Sequence, residues 1–347
     1  MKNTMIKRFI ACFILCITTM LCGCASEKEH TQSFFAMNTY MSVTAYGDNA
    51  QPALQQVQSA VTQLDSLWSV TDENSELYAL NSIGSGTVNS ETAELIRFSL
   101  EISEKTSGAF DPTIYPVLTA WGFTTDSNRV PSDEEITALL GKVGCENVLI
   151  SDNNAENCGE VTLRNGAMLD FGGIAKGAAA DKAAEIMREN GITSALINLG
   201  GSITVIGKNS DNSDWRIGVK NPFSDGNIGI LELCNTSAVT SGAYERCFTA
   251  SDGTVYGHII NPDNGRPVDN DLASVTIISP NTTLCDALST ALFVMGKEKA
   301  LQFAKENGKA LGFDYIIITK DKEIFISSGS AANFTLTDKS EILHIAV

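Results

Sequence analysis

Ala195-Leu-Ile-Asn-Leu-Gly-Gly-Ser-Ile-Thr-Val-Ile206 holds two short apolar runs, at 194–199 and 202–206, on either side of Gly200-Gly201. Such runs flanking a glycine pair read as strands joined by a tight turn, and a turn that short joins antiparallel neighbours. Working outward, β-like runs follow at 215–220, 228–234, 254–260 and 272–279, many linked by Gly, Asn and Asp. Short links favour hairpins and hence a largely antiparallel sheet. Upstream, residues 36–45 alternate like a strand, and 147–151, 160–164 and 167–171 suggest three more. A hairpin around Lys320-Asp321-Lys322 and a strand at 341–347 close the chain.

Helices interleave with these strands without a regular βαβ rhythm. Leu54, Val57, Val61, Leu64 and Trp68 recur at three- and four-residue steps, the spacing of one helical face. A second helix begins near Ser90, and a third follows the capping box Ser132-Asp133-Glu134-Glu135. Ile174 to Asn190 reads as a helix stopped by Gly191, and 283–295 and 297–307 read as two more, ending at Gly296 and Gly308. The class is α+β: a two-lobed single unit with mainly antiparallel or mixed sheets and packed helices.

The 347 residues are 43% hydrophobic and 19% charged with 8 prolines, which excludes disordered and collagen-like chains. With 24 Lys+Arg against 41 Asp+Glu the net charge is −17, so bulk attraction to nucleic acid or anionic lipid is disfavoured and no nucleic-acid partner is expected. A phosphate-bearing ligand must be held by a local device: a metal, a lysine or a helix N-terminus.

Lys2, Lys7 and Arg8 precede an apolar run from Phe9 to Met20, followed by Leu21-Cys22-Gly23-Cys24. That is the layout of a cleaved export signal, too short for a stable span. Leu21-x-Gly23-Cys24 resembles the bacterial lipobox, which implies cleavage before Cys24 and acylation of that cysteine. The expected organisation is a signal at 1–23, a polar tether at 24–33 and one domain at 34–347, lipid-anchored to a membrane outside the cytoplasm. Five cysteines remain beyond Cys24, and Cys145 and Cys158 are either bridged or a pair of buried thiols.

Three segments carry chemistry. Leu169-Asp-Phe-Gly-Gly-Ile-Ala-Lys-Gly177 delivers Asp170 into a Gly172-Gly173 turn before a helix whose unpaired N–H groups face the turn. Lys176 sits in the first helical turn, where the dipole disfavours a cation unless an anion is bound, although a tight turn with a surface lysine has the same sequence. In the helix after Thr283, the oxygens of Asp286, Ser289 and Thr290 share a face, as hard ligands for magnesium or as ordinary capping. His258, in Tyr256-Gly-His-Ile-Ile-Asn-Pro262, stands at a strand end beside a loop, as a general base or as a hydrogen-bonded structural residue. As a base it predicts a rate that falls as pH drops through the ordinary histidine range near ~6.5.

In order along the chain, Met37-Asn-Thr39, Asn74-Ser-Glu-Leu77 with Asn81, Ser107-Gly-Ala-Phe-Asp-Pro-Thr113, Trp121-Gly-Phe123, the 169–177 run, Ala195–Gly201, Ser241-Gly-Ala-Tyr-Glu-Arg246, His258–Pro262 with Gly265, and Asp286-Ala-Leu-Ser-Thr290 resemble the ApbE family, the FAD:protein FMN transferases. The resemblance implies a two-lobed α+β protein that binds FAD and magnesium, cleaves the FAD pyrophosphate and moves FMN onto a Ser or Thr hydroxyl of a partner, releasing AMP. It implies FAD contacts from Met37, Ala109, Phe110, Asp111, Asp170, Lys176, His258 and Ile259, with His258 as base. It implies magnesium ligands at the Gly173 carbonyl, Asp286, Ser289 and Thr290, and acceptors carrying Asp-x-x-Ser/Thr-Gly-Ala-Ser/Thr. Two departures stand out: Asn38 where the family often has Gly, and Thr71 or Val70 where a Tyr commonly contacts the flavin. A magnesium-dependent FAD pyrophosphatase and a flavin-binding lipoprotein without turnover would share the pocket.

Overall fold

Leu272–Ser279 is buried at all eight positions, and what covers its two faces sets the architecture. It lies inside a nine-stranded sheet ordered Glu29–Ala36, Thr39–Tyr46, Ala195–Leu199, Ser202–Ile206, Ser237–Gly242, Leu272–Ser279, Asp314–Thr319, Glu323–Ser327, Ile342–Ala346. Successive pairs are antiparallel except the last, which is parallel. The computed structural model describes residues 28–337 and 342–346 apart from 126, 154–157, 243 and 245.

Side chains alternate across a strand, so each inner strand feeds two cores. Along Asp314–Thr319, Tyr315 and Ile317 enter the large core under the helices, whereas Ile316 and Ile318 enter a second core. That second core is closed by a three-stranded sheet of Trp215–Lys220, Asn227–Leu233 and Phe334–Leu336. The layers are therefore helices, a mixed sheet, and a small antiparallel sheet. A third cluster of Val117, Trp121, Ile136 and Ile260 forms the smaller lobe, where Trp121 Nε1 donates to the Gly265 carbonyl at 2.8 Å.

Helix Ala50–Trp68 buries Leu54, Val57, Val61, Leu64 and Trp68, the face its spacing predicts. Helices Ser90–Lys105, Asp133–Leu140, Ala175–Glu189 and Thr282–Met295 also stand where expected. Helix Lys297–Leu311 runs through Gly308 and stops at Gly312, whose left-handed backbone (φ +71°) ends it. Among the described residues no helix is long and apolar enough to cross a membrane.

Several expectations are corrected. The tether ends before residue 33, because Glu29 already begins a strand paired to Tyr46. The strand read at 36–45 is Thr39–Tyr46, entered through a Met37-Asn38 turn in which both residues have positive φ (48° and 56°). Asn tolerates that conformation, which accounts for Asn38 at a position suited to Gly. Residues 167–171 form no ladder strand: Asn81 holds both the N–H and the C=O of Leu169, at 2.7 and 2.8 Å, in place of a neighbouring strand. The run 254–260 is broken at His258 into Val255–Gly257 and Ile260–Asn261, each with its own partner. Strand Ser237–Gly242 went unread because its small residues imitate a turn. Cys145 and Cys158 are not bridged. The signal and Cys24 lie outside the described residues.

Candidate functional site

The 169–177 segment makes a strand-like entry, a turn and a helix start, each step fixed by hydrogen bonds. Asp170 N–H donates to Pro112 O at 2.8 Å, and Asp170 Oδ1 accepts from Gly172 N–H at 2.8 Å, folding the turn back on its own carboxylate. Helix Ala175–Glu189 starts after Ile174, whose side chain cannot cap it. The cap comes from another helix: Asp286 Oδ2 accepts the Gly177 N–H at 2.9 Å. Only glycine fits there, because a Cβ on Gly177 would stand 2.5 Å from Thr282 O.

The support is reciprocal. Asp181, on helix Ala175–Glu189, accepts from the N–H groups of Thr282 and Thr283 at 2.9 and 2.8 Å, capping helix Thr282–Met295. Asp286 is 3% exposed, and its second oxygen, Oδ1, lies 3.6 Å from Lys176 Nζ. Lys176 Nζ also donates to Gly172 O at 3.3 Å, so the cation hangs over the turn. Thr290 Oγ1 abuts Gly173, 3.3 Å from where a Cβ there would be.

Between this wall and the smaller lobe lies a cleft of about 790 Å³. It is lined by Met37, Thr71, Ala109, Phe110, Asp111, Asp170, Gly173, Lys176, His258, Ile259, Asp286 and Thr290, all singled out in the sequence. Ser289 is the exception: it is fully buried and not in the lining, and its hydroxyl bonds Ser241 Oγ at 2.8 Å and donates to Asp286 O at 2.9 Å. Phe123 and Trp68 also line the cleft, so aromatic surface is present despite the Thr at 71.

Half-buried His258 stands at the break between two short strands. Its N–H donates to Arg246 O at 2.9 Å, and its Nδ1 lies 3.2 Å from the same oxygen. A carbonyl only accepts, so Nδ1 carries the proton and Nε2 is left as the basic nitrogen. Burial, then the charges of Arg246 and Lys176, depress the imidazole to about 4. Burial pushes Asp170 up, opposed by the Gly172 amide and by Lys176 and Arg246. Burial also raises Asp111, against hydrogen bonds from Thr113.

Ser241 and Arg246, quoted without a role in the sequence, also line the cleft. Ser241 belongs to the unread strand; Arg246 sends its guanidinium across to Asn38 O at 3.4 Å. Only the hexapeptide Ser241–Arg246 signalled either. Among the described residues no group of three or more His, Cys, Asp or Glu could hold a metal. Asp286 Oδ1, the Thr290 hydroxyl and the neighbouring Gly173 carbonyl supply oxygens only, a set that fits magnesium when phosphate oxygens and water complete the shell.

The chain is 30% identical over 299 residues to the FAD:protein FMN transferase of Escherichia coli (strain K12), covering 83% of this chain and 84% of that protein. It is 30% identical over 349 residues to the protein of that name in Treponema pallidum, covering 95% of each. Among solved structures, the ApbE protein of Thermotoga maritima superposes with a TM-score of 0.81 at 33% identity, over 88% of this chain and 99% of that one. The flavinyl transferase ApbE of Pseudomonas stutzeri does so with a TM-score of 0.75 at 29% identity, over 85% and 92%. The ApbE family model matches residues 37–313, a span that contains every lining residue named above, and the chain belongs to the ApbE family.

Proposed function

We propose that this chain is a FAD:protein FMN transferase, which cleaves the FAD pyrophosphate and places FMN on a Ser or Thr hydroxyl of an acceptor protein, releasing AMP. The observation that carries the reading is Lys176 over the Gly172-Gly173 turn on one wall of the cleft, with the neutral His258 also facing the cleft. The Ala175 and Gly177 N–H groups at the helix start are already held by Phe171 O and Asp286 Oδ2, so the expected free amides are not there, and it is the Lys176 cation over the turn that a diphosphate seated in the cleft would meet. Met37, Thr71, Ala109, Phe110, Asp111, Asp170 and Ile259 complete the FAD contacts.

His258 Nε2 takes the proton of the acceptor hydroxyl as its oxygen bonds the FMN phosphorus. The bond from that phosphorus to the bridging oxygen breaks, and AMP departs with the bridging oxygen. Asp286, Thr290 and the Gly173 carbonyl would hold magnesium, with Ser289 bracing Asp286 through its carbonyl; bound magnesium supplies positive charge to the reacting diphosphate. The lipobox supports a lipoprotein cut before Cys24, held by acyl chains on a membrane outside the cytoplasm, with acceptors displaying Asp-x-x-Ser/Thr-Gly-Ala-Ser/Thr.

Incubating the full chain with FAD, magnesium and a carrier protein displaying Asp-x-x-Ser-Gly-Ala-Thr tests the reading. The expected result is a carrier heavier by one FMN with AMP released in equal amount. FMN and AMP without a mass gain would make the chain a pyrophosphatase, and intact FAD would make it a binder; either outcome overturns the proposal.

A further inference from the structure

Phe35 and Tyr40 face each other across the hairpin of Glu29–Ala36 and Thr39–Tyr46, and they are 70% and 66% exposed. The same solvent face carries Thr31 opposite Thr44, with hydroxyls 2.9 Å apart, and Ser33 opposite Ser42. Hydroxyl pairs suit a wetted face. The aromatic pair interrupts them at the tip, on either side of the Met37-Asn38 turn, and Met37, Asn38 and Thr39 line the cleft. Neither ring lines it. The core does not require the rings either, since Phe34, Ala36 and Met41 supply the buried face of this hairpin.

We propose that Phe35 and Tyr40 form the docking surface for the acceptor protein, seating the polypeptide around the reacting hydroxyl at the cleft rim. This rests on the transferase reading. To be deprotonated, an acceptor hydroxyl must come within hydrogen-bond reach of His258. The chain flanking that hydroxyl is too bulky to follow it inside and lies on the rim, and among the described residues Phe35 and Tyr40 are the most exposed aromatic side chains. Exposed aromatics contribute large contact area at little conformational cost and concentrate interface energy. The outer edge of Glu29–Ala36 has no strand partner among the described residues, so an extended acceptor segment finds backbone groups beside the rings. Arg246, bonded to Asn38 O, ties the turn to the segment whose carbonyl orients His258, which places the docking ground in continuity with the base.

The test is Phe35→Thr with Tyr40→Thr in the full chain, which repeats the Thr31–Thr44 pairing that this hairpin already accommodates. FMN transfer is measured against concentration of the carrier protein displaying Asp-x-x-Ser-Gly-Ala-Thr, and FAD affinity by fluorescence titration. The expected result is a KM for carrier raised about tenfold or more, with kcat and FAD affinity unchanged. An unchanged KM overturns the proposal, and loss of self-association or of vesicle binding alongside it assigns the rings to a second copy or to lipid. Weaker FAD binding also overturns it, because the rings would then act on the pocket. If the wild-type chain moves no FMN onto the carrier, the transferase reading falls and this inference with it; wild-type transfer with an indifferent variant sinks the docking surface alone.

Discussion

Asp286 Oδ2 accepts the backbone N–H of Gly177 at 2.9 Å, so one buried carboxylate caps a neighbouring helix while its other oxygen faces Lys176 and the cleft. Substitutions of Asp286 therefore mix a structural loss with a chemical one.

Two variants separate them. Asp286→Asn keeps an oxygen for the Gly177 N–H and loses the charge; Asp286→Ala loses both. Asp286→Ala is expected to cost about 1–3 kcal/mol of stability by leaving a buried donor unpaired, and Asp286→Asn clearly less. Both abolish magnesium-dependent transfer. Urea unfolding beside magnesium titration checks this, and equal stability of the two variants would remove the capping role.

Lys176→Ala is expected to weaken FAD roughly tenfold to hundredfold while leaving riboflavin unaffected, because the lost charge-assisted contact is to phosphate. Comparative titration of the two flavins decides; equal weakening would move Lys176 away from the diphosphate.

His258→Ala is expected to retain FAD affinity while transfer falls by about 10²–10⁴. Burial and two cations depress the imidazole to about 4, which moves the expected acid limb below the ~6.5 of an ordinary histidine. A lowered pKa favours the neutral form, so the base stays competent as pH falls from 7 to 5 and fails only near the lowered value. NMR titration of the ligand-free chain, with transfer rates over the same range, gives the test, and a midpoint near 6.5 would show the ring is not desolvated.

Cys24→Ala is expected to abolish lipid labelling and membrane retention in cells and to leave FMN transfer intact. Persistent palmitate labelling of the variant rules out this anchor.

Most of the site was legible because its residues sit in short runs with unusual chemistry: a lysine at a helix start, a histidine beside a Gly/Asn/Pro loop, an acid with hydroxyls three and four residues on. Periodicity and capping residues gave the longer helices and most hairpins, since burial of one face leaves a repeating mark, whereas the short helices Glu76–Ile83 and Tyr115–Trp121 span too few turns to leave one. The misses have two causes, partners remote in sequence and small residues that leave no pattern. At 167–171 a side-chain amide, Asn81, stands in for a strand, and no local pattern records a partner 88 residues away. At 237–242 small residues hide a central strand. Ser289 shares a helical face with Asp286 and Thr290, yet its hydroxyl is fully buried and taken up by Ser241 and the Asp286 carbonyl. Arg246 announced itself only through a hexapeptide, because its partners are a backbone carbonyl and charges brought near by folding.

Asp181 and Asp286 make each of two helix starts dependent on the other helix. Whatever pulls Asp286 toward the cleft loosens Gly177 and, through the packed pair, the seat of Thr282 and Thr283. Hydrogen exchange at Gly177, Thr282 and Thr283, compared with and without FAD and magnesium, would therefore read whether filling the cleft draws Asp286 off its cap and whether the second helix start feels it.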